Sequence, residues 1–240
     1  MSKRARLKQF QETAPGVSTT LSTWLVKSGY VALQNALDER RGGVYRTACN
    51  HFSSHAPASI LLLVTGFDAW LNEALWILDP YASELRSLAE KPPDKRYCSI
   101  PKLVNGTQLP KRLELQTVFD VRHEIAHYLP RVVEGEGKVP EWLVDLHQRK
   151  LLLTSPHPSA DFGFGNRLCS YSLAYWTWTI IDSAIADFLE ALGESAQLLR
   201  RGAGIFSMYT RVCAPTRLAL YDSDHNLKLT EEERQKKREK

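Results

Sequence analysis

The chain is short of cysteine, of long apolar runs and of strand-like alternation, and each shortage closes off a class of protein. Its four cysteines, Cys49, Cys98, Cys169 and Cys213, stand singly among 240 residues, with no CxxC pair. That argues against zinc-ribbon and thioredoxin-type chemistry, and so sparse a set fits a reducing compartment. No apolar run exceeds that of Ile60 to Val64, far below the ~20 residues that span a bilayer. The basic segment Lys3 to Lys8 is not followed by an apolar stretch, which argues against a secretory signal. A cytoplasmic protein with no membrane association is the expectation. There is no internal repeat. Gly163-Phe-Gly165 lacks the preceding strand of a nucleotide fingerprint, and Asp161-Phe-Gly163 lacks the other motifs of a kinase.

What the chain does have is enough apolar material, 43% of its residues, for one sizeable core. Its net charge of +4 permits a nucleic-acid partner without requiring one, and much of the excess lies at the two ends, Lys3 to Lys8 and Arg234 to Lys240. Apolar residues at three- and four-residue intervals predict long helices over 57–78, 111–128 and 166–193. Shorter helices are expected at 29–41, 81–90, 98–106 and 140–151. Residues 1–28 read as polar and irregular. A long connection, 130–165, is rich in glycine and proline. One β-compatible run, Gly204 to Val212, is too isolated to imply a sheet, and the charged segment 230–240 reads as a frayed tail. The fold class expected is an all-α antiparallel bundle over 51–195, with an N-terminal extension (1–50) and a C-terminal extension (196–240).

The chemistry concentrates in Val121-Arg122-His123-Glu124-Ile125-Ala126-His127-Tyr128. His123 and His127, four apart on a helix, project from one face. Arg122 lies five before His127, roughly 140° around the helix at 3.6 residues per turn, within reach of a shared ligand. An imidazole takes or gives a proton near neutral pH, and a guanidinium holds a phosphate oxygen through two donors. Together they suit phosphodiester cleavage, in which RNA supplies its own 2′-hydroxyl as nucleophile and no metal is needed.

The segment DVRHEIAHYLP resembles the signature of HEPN domains, an Arg followed by a polar residue and then, a few positions on, a His. Arg122, His123 and His127 match those places. The preceding helix fits too, since HEPN domains carry an acidic or polar residue near the middle of a long apolar helix, where Asp68 falls, with Asn72 one turn on. The resemblance covers about residues 57–193. It implies a metal-independent endoribonuclease without cofactor, in a toxin or antiphage role, working as a homodimer whose two Arg–His pairs line one cleft. His127 would transfer the proton and Arg122 bind phosphate, with His123, Glu124, Asp68, Asn72 and Tyr128 in support. An antitoxin or regulatory protein is a further partner it implies. A non-catalytic HEPN module binding RNA or protein is an alternative within the same resemblance. Lys111, Arg112 and Arg131 flank the motif helix as candidate phosphate contacts for RNA.

The same residues also read H-E-x-x-H, the motif of zinc peptidases, with His123 and His127 as ligands and Glu124 as general base. Glu141 is the candidate third ligand. Against this reading, the region ahead of the motif shows no strand-rich pattern, and Arg122 would have no task. Trp176 and Trp178, with Tyr171 and Tyr175, enrich the last helix in aromatics; core packing explains them better than base stacking.

Overall fold

A computed structural model describes residues 21–42, 52–78, 83–127, 139–153, 167–197 and 199. The described residues are helical apart from short links and contain no β-strand. The elements are α1 (Leu21–Gly42), α2 (Ala56–Leu78), a 3-10 helix (Ser83–Glu90), α3 (Pro93–Asn105), α4 (Leu113–Ala126), α5 (Glu141–Gln148), α6 (Tyr171–Leu192) and a 3-10 turn (Gly193–Ser195).

Helix α2 is the axis of the core. Its residues Ile60, Leu63, Val64, Phe67, Trp70, Leu71, Ala74, Leu75 and Leu78 are buried, each large side chain contributing about 1.5–3 kcal/mol when fully withdrawn from water. The Ser53 hydroxyl accepts from the backbone N–H groups of His55 and Ala56, satisfying donors that a helix start leaves open. By length and composition α2 is also the one described helix that could cross a membrane, a test that the central helix of a bundle passes equally; half of its most apolar window is buried here. Counting unbroken runs hides this, because Thr65, Gly66 and Asp68 interrupt the run without making the helix polar.

Helix α1 begins eight residues before the expected helix of 29–41, inside the stretch read as irregular. Val26, Tyr30, Leu33, Ala36 and Leu37 join the same core as α2. The two helices run antiparallel, since Ser22 meets Glu73 while Gly29 meets Ser59. Their backbones come unusually close. A Cβ on Gly29 would lie 2.8 Å from the Leu63 nitrogen, and one on Gly66 would lie 3.0 Å from the Val26 nitrogen. Glycine is required there for lack of a side chain, not for its backbone freedom.

Helix α6 closes the core from the other side. Ser170 caps it by accepting from the Leu173 N–H at 3.3 Å. An isolated bridge pairs Phe52 with Ser170, and eighteen residues further along both chains Trp70 meets Phe188, ring centroids 5.0 Å apart. α2 and α6 therefore run in the same direction, so the bundle is not antiparallel throughout. Trp176 and Trp178 are buried, Trp178 against Tyr30 at 5.3 Å, in keeping with core packing.

Helix α3 starts earlier than the expected 98–106. Pro93 at its first turn tolerates the missing N–H, and Gly106, at φ 82°, ends it with its N–H on the Lys102 carbonyl. The shift matters because it brings Arg96 into the helix. The run 204–212, the tail, residues 130–138 and 154–165 of the connection (Arg131 among them) and Tyr128 lie outside the described residues.

Candidate functional site

Helix α4 carries Gln116, Asp120, His123 and His127 at intervals of four, three and four, which is one stripe along its length. The first three line a cleft between α2, α3 and α4 of approximately 320 Å³. Val64 and Asp68 of α2, Pro92, Pro93, Asp94 and Arg96 around the start of α3, and Phe119 and Arg122 of α4 complete its lining. His127 continues the stripe past the cleft's edge. It is the residue at which α4 ends, with φ −119° and its N–H on the His123 carbonyl at 2.9 Å. The two imidazole rings lie 4.7 Å apart at 49°, both exposed. Glu124 is half-buried.

Three arginines belong to α3 and α4 or their starts, and they are placed differently. Arg96, whose side chain is 6% exposed, donates through Nη2 to Asp68 and through Nη1 to Asn72 Oδ1. Arg112 donates through Nη2 to Asp187 and through Nη1 to Ser183 Oγ at 2.6 Å, tying the start of α4 to α6. Arg122 has neither an ion pair nor a hydrogen bond among the described residues, and it lines the cleft beside His123. It is the guanidinium left available for an anion.

The geometry bears on three of these expectations. Arg112 is committed to Asp187 and Ser183, so it is not the open phosphate contact its flanking position suggested; Lys111, next to it, is exposed. Asp68 lines the cleft and Asn72 does not, and the group both hold is Arg96 and not the Arg122–His127 pair directly. Glu141 does not complete a zinc set with His123 and His127, since among the described residues no group of three His, Cys, Asp or Glu side chains stands close enough to hold an ion.

Arg96 is a buried cleft residue that sequence reading missed, as it also missed Asp94, Gln116 and Asp120 of the same lining. With the helix begun at 98 Arg96 falls in a loop. Begun at 93, the buried positions 96, 97 and 100 put an arginine on the apolar face of α3, where a charge needs a carboxylate partner. That pattern is the signal that could have found it.

Comparison with known proteins adds no relative: no protein-family model matches the chain, no curated protein matches it, and no solved structure matches it.

Proposed function

We propose that the protein is a metal-independent endoribonuclease of the HEPN type, acting at Arg122 and His127. The observation that carries the reading is Arg122. Arg96 and Arg112 are both neutralised within the fold, whereas Arg122 has no partner among the described residues and opens on a cleft beside a pair of imidazoles 4.7 Å apart. An unpaired guanidinium at a concave surface suits a phosphate, and imidazole suits the proton transfers.

In the reaction the 2′-oxygen attacks the adjacent phosphorus while His127 takes its proton. The bond to the 5′-oxygen breaks, and a proton returned to that oxygen completes the leaving group, giving a 2′,3′-cyclic phosphate and a 5′-hydroxyl. Arg122 holds the phosphoryl oxygens as charge develops on them. His123 packs on His127 and fixes its ring, and Lys111 on the exposed flank attracts the RNA backbone. Attack and departure occur on opposite sides of the phosphorus, so a second copy of the chain, bringing its own Arg–His pair, supplies the second imidazole.

The test is cleavage of a labelled single-stranded RNA in the presence of chelator. Activity should persist, and should fall by about 10²- to 10⁴-fold in His127→Ala, the range typical of a lost general acid or base. Arg122→Ala should lose activity and substrate affinity together. His123→Asn should remain active, because a polar ring support suffices there. Activity abolished by chelator, or unchanged in both alanine variants, would overturn the reading.

A further inference from the structure

We infer that the cleft between α2, α3 and α4 is a base-recognition subsite that takes guanine, with Asp94 as the residue that reads it. This rests on the ribonuclease reading for its place in the reaction but not for the binding itself. The cleft is roughly the size of the smaller ligand pockets, ~300 Å³ and upward, and three of its eleven lining residues are aspartates.

Three carboxylates face it, and they are not equivalent. Asp68 is neutralised by Arg96. Asp120 accepts from the Gln116 side-chain amide at 3.2 Å, which fixes its plane and leaves its other oxygen open. Asp94, in the first turn of α3, has no hydrogen bond or ion pair among the described residues, so both its oxygens are available. Arg96, nine-tenths buried, keeps an Nε–H that meets no acceptor among the described residues, and Phe119, half-buried against Phe67 at 6.3 Å, gives the cleft an apolar wall. These carboxylates are not a cation site, since no three such groups converge among the described residues.

A ligand for this lining must present donors to Asp94 and an anion to Arg122. Of the four RNA bases, guanine alone carries two adjacent N–H donors, N1 and N2, spaced for the two oxygens of one carboxylate. Adenine and cytosine place a ring acceptor beside their amino group, and uracil flanks its single N–H with carbonyls; each would set lone pairs against the carboxylate. Unstacked single-stranded bases are read on these edges, with an aromatic or apolar wall against the ring. The α4 stripe then gives the direction: base in the cleft beside Gln116 and Asp120, phosphate at Arg122 and His123, reacting atoms at His127.

Titration calorimetry on full-length His127→Ala with the 3′-monophosphates of guanosine, adenosine, cytidine and uridine tests this without turnover. Guanosine monophosphate should bind about five- to 150-fold more tightly than the others, the range of one good bidentate pair. Adding Asp94→Asn should erase that preference while leaving the affinity common to all four, and Arg122→Ala should weaken all four alike. Asp120→Asn should reduce the preference in part, and it serves as the second variant should Asp94→Asn melt early. Equal binding of the four nucleotides, binding of none, or a preference that survives both aspartate variants would overturn the assignment. Guanine preference in a protein that cleaves no RNA would defeat the ribonuclease reading and leave the subsite standing; cleavage with no base preference would do the reverse.

Discussion

Asp68→Ala offers the sharpest test of how the cleft is held together. The substitution removes the carboxylate from a guanidinium that is 6% exposed and leaves it Asn72 as its one remaining acceptor among the described residues. Stripping one partner from a buried ion pair costs ~3–5 kcal/mol, because the other charge stays buried and unpaired. Asp68 is 33% exposed, so water reaches the vacated position and solvates part of the freed Nη2 group. That discount brings the expected loss to about 2–3 kcal/mol. For a chain of this size, at ~2–4 °C per kcal/mol, the melting temperature should fall by about 4–12 °C. Arg96→Met, which leaves a partly solvated carboxylate and an apolar side chain in an apolar place, should cost less. The double variant Asp68→Ala/Arg96→Met should be more stable than Asp68→Ala alone, since the unpaired charge is gone. Urea titrations of the four proteins give the coupling energy directly. A loss below about 0.5 kcal/mol for Asp68→Ala, or effects that simply add, would refute the argument that this pair is the buried anchor of the cleft.

Other consequences follow from the same contacts. Gly29→Ala and Gly66→Ala should each destabilise by about 1–3 kcal/mol, because the new methyl group meets backbone of the facing helix and neither helix can yield alone; thermal melts check it, and Gly106→Ala is no control, since its φ of 82° is strained for any side chain. Burial pushes the Glu73 carboxyl up despite hydroxyl and amide donations from Ser22. A carboxyl raised in the folded state contributes stability that is present below its ordinary range and lost as pH rises through the raised value, so Glu73→Gln should flatten the fall in stability on the neutral side of that range. Glu39 has the opposite sign: burial would raise it, but donations from Ser53 and Ser54 and the charge of His55 outweigh burial and hold it down. Its contribution is complete above the ordinary carboxylate range and disappears as pH falls through the lowered value, which acid melts of Glu39→Gln should reveal. If RNA is bound, Lys111→Ala should reduce the salt-dependence slope by about 1, whereas Arg112→Ala should lower the melting temperature and leave the slope unchanged.

The helices were legible where apolar spacing was dense, and the boundaries failed where proline and glycine gave mixed signals. α2, α4 and α6 lie within a few residues of their expected ranges because each buries a stripe at three- and four-residue intervals. The start of α1 escapes the pattern because its apolar Leu21 and Trp24 are exposed while its polar Ser22 and Thr23 are buried, the reverse of an amphipathic helix. The start of α3 escapes it because Pro92-Pro93 reads as a break, whereas proline at a first helical turn marks a beginning. The shared direction of α2 and α6 has no local signature; it depends on a bridge between Phe52 and Ser170, more than a hundred residues apart.

The same distinction separates the parts of the site. His123 and His127 could be paired on paper because four residues is one turn of one helix, and their rings do meet. Arg96, Asp68 and Asn72 could not, because they come from two helices whose register is set by packing along the whole of α2. What the fold adds to the motif is therefore mainly subtraction. It withdraws Arg96 and Arg112 into ion pairs and leaves Arg122, beside His123, with no ion pair or hydrogen bond among the described residues. Spacing can flag Arg96 as an arginine on an apolar face, but which of the three keeps no partner among the described residues depends on contacts between helices that the chain does not display.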